Sequence, residues 1–313
     1  MLASSTTMQF HFIDSIGMKP VDFNLHGRPH ASFGRSVRTD IAMSDPLAVI
    51  SLHQDTPELA RTYEQLGVIQ FNHGKLLLEP LALKPGERVL DVGTGTGRLA
   101  EFAAHLVGPS GRVVGIDPLE SRIAIARLRQ SGNLVFDTGR AEDLSRFGED
   151  EFDVIYLNSV LHWISDKRAV LQEARRALRP GGRIGLTIQD PTAPHESRLL
   201  LRRAIAAAGL DESRLSAHGV YAATDDELRS LFEQAAFVGY QSELRTLVET
   251  HGNVDELLGW SESSAFGNFL DGFTYAEGRR IRAAFAELVE AHRTPEGPRL
   301  ARYLRYAFAR KPD

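Results

Sequence analysis

The chain has 313 residues, 42% of them hydrophobic, and carries 41 acidic against 36 basic side chains for a net charge of −5. That length buries one sizeable core with a smaller cap, and an acidic balance without any basic block excludes a nucleic-acid backbone as the default partner. No cysteine is present, so disulfides, thiolate metal sites, iron–sulfur ligation and thiol nucleophiles are all excluded.

Residues 1–42 scatter Ser, Thr, Gly, Pro and His among isolated apolar residues and predict a poorly ordered extension. Met43 opens "MSDPLAVISLHQ" and reads as a second start, which makes the preceding segment an upstream extension, a targeting arm or a lid. The opening lacks the basic segment and apolar core of a secretory signal, and no run reaches eighteen apolar residues, so a soluble cytoplasmic protein without membrane contact is expected.

From residue 43 to 313 a single domain is expected, its N-terminal helices falling within 45–80. Thr56 before Pro57 supplies an N-cap and a first-turn proline, with Leu59, Tyr63 and Leu66 on one stripe. After the "KPGE" turn at 84–87, strands and helices alternate. Strands are predicted at 87–92, 111–117, "NLVFDTG", 152–158 and 182–190, separated by helices at 97–107, "ESRIAIARLRQ" and "DKRAVLQEARRALRP". Their continuous apolar runs are those of a parallel sheet covered on both faces, hence an α/β doubly wound fold. Helices near 195–209 and 224–236 then precede a strand in "FVGYQSELRTLVE", a helical insertion over 250–295 and a last strand in "RLARYLRYAFARKP". The result is a mostly parallel seven-stranded sheet with helical cap insertions.

"VLDVGTGTGRLA", 89–100, places Gly93, Gly95 and Gly97 directly after a strand ending near Asp91. A dinucleotide fingerprint needs glycine at its sixth place, where this chain has Arg98, and Asp91 would repel a diphosphate. A cofactor bearing an ammonium and a sulfonium would instead welcome Asp91, while Gly93 and Gly95 let bare backbone lie against it. Asp117 closes the second strand, where a carboxylate accepts both hydroxyls of a ribose. The implied ligand is S-adenosylmethionine.

On these motifs the chain, from about residue 60 to 245, resembles the class I S-adenosylmethionine-dependent methyltransferases of the small-molecule group typified by the ubiquinone and menaquinone methyltransferases. The resemblance implies a Rossmann-like methyltransferase fold, with Asp91 and the glycines on the methionine part of the cofactor. "VVGIDPLE" implies Asp117 on the ribose and Pro118–Leu119 beside the adenine. "GRAEDL" implies Asp143 as acceptor for the adenine amino group, with Ala141 and Glu142 contributing backbone; an acid in a helix's first turn is the competing reading of Asp143. "FDVIYLNSVLHWISD" and "LRPGGRI" complete the set, and the backbone around Asn158 would underlie the transferring methyl group unless its side chain merely caps the turn.

His162 is the candidate general base, against packing beside Trp163; Trp163 points either to the substrate pocket or to the sheet–helix junction. Tyr63 and His73, with Phe71, are candidates to line a substrate pocket or lid, and Trp260, Phe266, Phe269 and Phe273 serve either an organic acceptor or an ordinary core. Dispersed histidines without a paired motif predict no metal, the missing cysteines exclude cysteine-based arsenic methylation, and no G-x-S-x-G elbow is present. The expected activity is in-line methyl transfer from S-adenosylmethionine, leaving S-adenosylhomocysteine, to an O, N or C atom of a small organic metabolite. Protein or nucleic-acid methylation and non-catalytic cofactor binding are the alternatives; "NSVLHW" in place of an asparagine-proline-proline motif weakens the first. A homodimer is left open.

Overall fold

A computed structural model describes residues 52–215 and 220–313. The expected N-terminal extension lies outside the described residues. Thr56 caps the first helix, α1 (Pro57–Leu66), its hydroxyl accepting from the Leu59 N–H at 3.2 Å. Then follow α2 (Val68–Leu81), β1 (Arg88–Val92), α3 (Arg98–Val107), β2 (Arg112–Asp117), α4 (Glu120–Ala126), β3 (Leu134–Thr138) and β4 (Phe152–Asn158). The chain continues through α5 (Lys167–Ala177), β5 (Leu178–Ile188), α6 (Glu196–Ala207), α7 (Asp225–Gln234) and β6 (Val238–Thr250). It ends with α8 (Val254–Ser264), α9 (Tyr275–Glu290), the two-residue β7 (Arg293–Thr294) and β8 (Gly297–Arg310).

The main path of the sheet runs β3-β2-β1-β4-β5-β8-β6, with β7 paired to β8 off that path. The first five strands are parallel, and β8 lies antiparallel between β5 and β6. The doubly wound, mostly parallel seven-stranded expectation therefore holds. Alternate residues of each central strand feed two apolar layers. Leu90, Val92 and Ile155 pack with α5 and α7, whereas Val89, Val113 and Val154 pack with α2 and α3. Burial on both faces is why these strands read as unbroken apolar runs rather than alternating ones. β5 begins earlier than the apolar pattern suggests, because "LRPGG" is already extended: Leu178 pairs with Phe152 before a bulge.

Strand order reverses between β1 and β4, so their carboxyl ends splay around a crevice, the ligand position general to open α/β sheets. β6 and β8 are joined by the helical insertion rather than by a hairpin turn. α9 packs on α6 around Leu201, Ile205, Ile281 and Phe285, and α8 packs on α1, where Trp260 stacks on Tyr63 at 5.5 Å. Thr274 and Glu277 form a capping box that starts α9, as Thr224 and Glu227 do for α7. No helix among the described residues is long and apolar enough to cross a membrane.

Gly97 is a packing glycine. Its φ is +85°, and a Cβ there would meet the Phe136 ring at 2.7 Å and Ala126 at 3.0 Å, so its bareness lets α3 close on β3 and α4. Gly209 is also left-handed, with φ +69°, but has nothing within 4 Å of a built Cβ. Gly209→Ala is expected to destabilise by about 1 kcal/mol from backbone strain, and Gly97→Ala by about 2–4 kcal/mol because overpacking adds to it. Urea unfolding of the two variants checks this, equal losses being the adverse result.

Candidate functional site

A cavity of about 520 Å³ opens at the carboxyl ends of β1, β2 and β4. Gly93, Gly95, Asp117, Pro118, Leu119, Ala141, Glu142, Asn158, Tyr63 and Trp163, all singled out from the sequence, line it. Asp91 faces a recess of about 40 Å³ that shares Tyr63, Gln70, Gly93 and Asn158 with the larger space.

The glycine turn is built against phosphate. The N–H groups of Gly93 and Thr94 donate to the Ile116 carbonyl at 2.7 and 2.9 Å, and that of Gly95 to the Asp117 carboxylate at 3.0 Å. A phosphate cradle needs those donors free, and here β2 consumes them. Gly93, with φ +77°, lies under Val160, whose Cγ2 would be 2.2 Å from an added Cβ; Gly95 lies under the Tyr63 ring. The bare backbone thus admits neighbours from the loop after β4 and from α1 as well as any ligand.

Two carboxylates define the electrostatics. Asp91 is 2% exposed, and burial pushes its carboxyl up to about 7 against the Thr94 hydroxyl, which donates to it at 2.8 Å. Asp117, 7% exposed, is raised chiefly by burial, with Arg122 and the N–H groups of Leu119 and Gly95 opposing. Asp91 has no ion pair among the described residues. A cation placed beside these groups would recover the energy that desolvation costs them.

Arg122 closes the cavity. It pairs with Asp55 at 2.9 Å, donates to the Ser263 carbonyl at 2.7 Å and lies over the rings of Tyr63 and Phe266, at 4.3 and 4.6 Å from their centroids. One guanidinium therefore ties the segment before α1, α4 and the end of α8 together, and Phe266 and Ser264 join the lining. Trp163 stands edge-on to Phe266 at 5.0 Å. Sequence reading missed Arg122 because its partners are distant in sequence; a buried arginine near aromatics is invisible without the fold.

The end of β4 is locked by its polar groups. Asn158 donates to the Gln70 carbonyl at 3.2 Å and accepts from the Thr187 hydroxyl at 3.0 Å, while the Ser159 N–H donates to Thr187 Oγ1 at 2.7 Å. Ser159 has φ +61°, a left-handed conformation costly for a non-glycine residue.

The structure moves four residues from their expected places. Asp143 is exposed and accepts from the Ser145 N–H at 3.0 Å, so its carboxylate serves its own turn; of the two adjacent acids it is Glu142 that lines the cavity. Gly97 does not line it, for the packing reason given above. His73 lies outside it, beside Glu249 and Arg302 in an adjoining chamber, where burial holds its ring down at about 4. His162 lines that same chamber and is 2% exposed; burial, with Arg302 and Lys167, holds it at about 3. Burial thus works against this ring taking a proton from an alcohol or amine. Among the described residues no group of His, Asp and Glu is placed to hold a metal ion.

The methyltransferase-domain family matches residues 83–241, half of the chain. An arsenite methyltransferase of Halobacterium salinarum is 31% identical over 50% of this chain and 38% of its own length. A ubiquinone/menaquinone biosynthesis C-methyltransferase of Hahella chejuensis is 33% identical over 51% of this chain and 71% of its own. Three of the curated relatives are spanned over only 38%, 39% and 49% of their length. Phosphoethanolamine N-methyltransferase 2 of Haemonchus contortus, solved with S-adenosylmethionine, superposes with a TM-score of 0.52 at 18% identity, over 82% of this chain and 58% of that one. The motifs around the glycine turn, the strand order and the family match agree: the chain belongs to the class I S-adenosylmethionine-dependent methyltransferase family.

Proposed function

We propose that the protein transfers a methyl group from S-adenosylmethionine to a small organic acceptor. The observation that carries this reading is the pair of buried carboxylates, Asp91 and Asp117, flanking a glycine turn whose amides are already engaged. That arrangement suits a cation and a sugar rather than a phosphate. The Asp91 carboxylate would take the cofactor's ammonium, and Arg98, whose buried Nε lacks a hydrogen-bond partner at the same recess, would take its carboxylate. Asp117 spends one lone pair of each oxygen on backbone N–H groups and keeps others for ribose hydroxyls. Pro118, Leu119 and Ala141 offer the apolar wall for a base, with Glu142 at its edge.

When bound, the cofactor supplies an electrophilic methyl on a sulfonium. As an acceptor atom bonds to that carbon, the carbon–sulfur bond breaks and its electron pair stays on sulfur. The chain's own work is to hold the acceptor in line, at the strained Ser159 turn, and to exclude water behind Arg122, Tyr63 and Phe266. A walled space of this kind favours a metabolite over a folded macromolecule. The arsenite methyltransferases among the relatives do not transfer their substrate to this chain, which has no cysteine to hold arsenic.

Three outcomes are expected. Calorimetric titration with S-adenosylmethionine should show Asp91→Ala losing about 1.5–3 kcal/mol of binding, and unchanged affinity would remove Asp91 from this role. The second concerns pH. Asp91's folded pKa lies above its unfolded one near about 3.9; its contribution to ligand-free stability is therefore full below that value and is lost as pH rises through about 7. A cationic ligand prefers the ionised form, so its affinity should rise about fivefold to tenfold between about pH 6 and about pH 7.5, and Asp91→Asn should flatten the profile. Third, incubation with methyl-labelled cofactor and a fractionated cell extract should place label in a low-molecular-weight product. Label only in protein or nucleic acid would assign the alternative substrates, and tight binding with no transfer to any fraction would mark a non-catalytic binder.

A further inference from the structure

Behind Ser159 the large cavity meets a second chamber of about 150 Å³, with Gln70, Ser159, Trp163 and Ser264 common to both. Its walls come from α6, the ends of β6 and β8, and α8. They carry an uneven set of charges. Arg302 is ion-paired with Glu249, which burial works to raise but the Arg302 guanidinium and His251 hold down at about 2. That pair is neutral overall. Arg198 also lines the chamber, and its guanidinium has neither ion pair nor hydrogen bond among the described residues. Burial weakens its hold on its proton, yet an arginine stays charged. One positive charge is left over.

Two buried imidazoles beside it are unsatisfied. His195 is 7% exposed; its Nδ1 accepts from the Tyr303 N–H at 3.2 Å, which puts the proton on Nε2, and that N–H is buried with no partner. His162, 2% exposed, has a buried Nδ1 that also lacks one. Buried donors and partly buried guanidinium groups are costly when left alone. The Arg198 guanidinium and the His195 Nε2–H around one space describe a ligand: a group that accepts hydrogen bonds and carries one negative charge.

We propose that this chamber is the acceptor site and that it takes a small organic monocarboxylate, held by the Arg198 guanidinium and the His195 Nε2–H. The assignment rests on the methyl-transfer reading of the adjoining cavity. The carboxylate sits at the α6 end of the chamber, and the rest of the molecule points past Ser159 toward the cofactor space. A phosphate monoester fits less well, because its second charge would face Glu249 with only one free cation among the described residues to offset it. A long isoprenoid fits neither the volume nor the polar walls.

The test uses the full-length protein saturated with S-adenosylhomocysteine and titrated with acetate, butyrate and benzoate, with their amides, and with inorganic phosphate. At least one carboxylate should bind ten times or more tighter than its amide and tighter than phosphate. Arg198→Met should weaken that carboxylate at least tenfold while S-adenosylhomocysteine affinity stays within twofold, which also shows that the variant is folded. Glu249→Gln, by freeing the Arg302 charge, should tighten carboxylate binding several-fold, a gain that an unfolded variant cannot produce. Amides binding as well as acids, phosphate binding better, no carboxylate binding at millimolar concentration, or an Arg198→Met variant with unchanged carboxylate affinity would each overturn the proposal. Failure of the wild type to bind S-adenosylhomocysteine would instead overturn the methyl-transfer reading, so the two failures are distinct.

Discussion

Two carboxylates at the ends of adjacent parallel strands organise everything around them. Asp91 and Asp117 each sit almost completely out of water, where ionisation is expensive, and the Asp117 charge raises the cost for Asp91 further. The fold answers Asp117 from within, through the Gly95 and Leu119 amides and the field of Arg122. Asp91 receives much less. Its main compensation inside the chain is a single threonine hydroxyl, and burial outweighs it. The glycine turn therefore differs from the phosphate-binding loops it superficially resembles: two of its amides go to the Ile116 carbonyl and the Gly95 amide to Asp117, and on the proposed reading the first strand's acid is left for a cation.

The same asymmetry recurs in the cap. Arg122 is a charge satisfied many times over, by Asp55, by the Ser263 carbonyl and by two aromatic faces, and it pins three separate segments over the cavity. One chamber away, the Arg198 guanidinium, the His195 Nε2 and the His162 Nδ1 have no such partner among the described residues. Satisfied buried charges in this protein do structural work, and unsatisfied ones gather where a small molecule would reach them. The insertion between β6 and β8 makes both possible. It brings Trp260, Phe266 and Phe269 to the mouths of the two spaces, while Phe273 stays in the helix–helix core under Arg214.

Much of the cofactor cavity was legible in local sequence because parallel strands leave their marks locally. A continuous apolar run, then an acid, then glycines, encodes a strand end and its turn in a dozen residues. The family resemblance extended that reading to Asp117, Pro118, Leu119 and the "GRAEDL" segment, and there its resolution ended. Between Glu142 and Asp143 only side-chain direction distinguishes wall from rim, and the turn spends Asp143 on the Ser145 amide. Gly97 belongs to the same motif as Gly93 and Gly95, yet what requires it is Phe136, some forty positions downstream. His162 has the chemistry of a base, but basicity depends on hydration, and burial lowers it.

By itself the sequence determined the alternation of strands and helices, the acid–glycine turn and hence the charge of the ligand it favours, because these depend on residues adjacent along the chain. Tertiary structure alone decided which side chains share a cavity. The Arg122 clamp joins residues from Asp55 to Phe266, and the second chamber gathers His162, His195, Arg198 and Arg302 from three separate segments. Burial and pairing set the charge and basicity of each of these groups, and both are properties of neighbours that only the folded chain brings together.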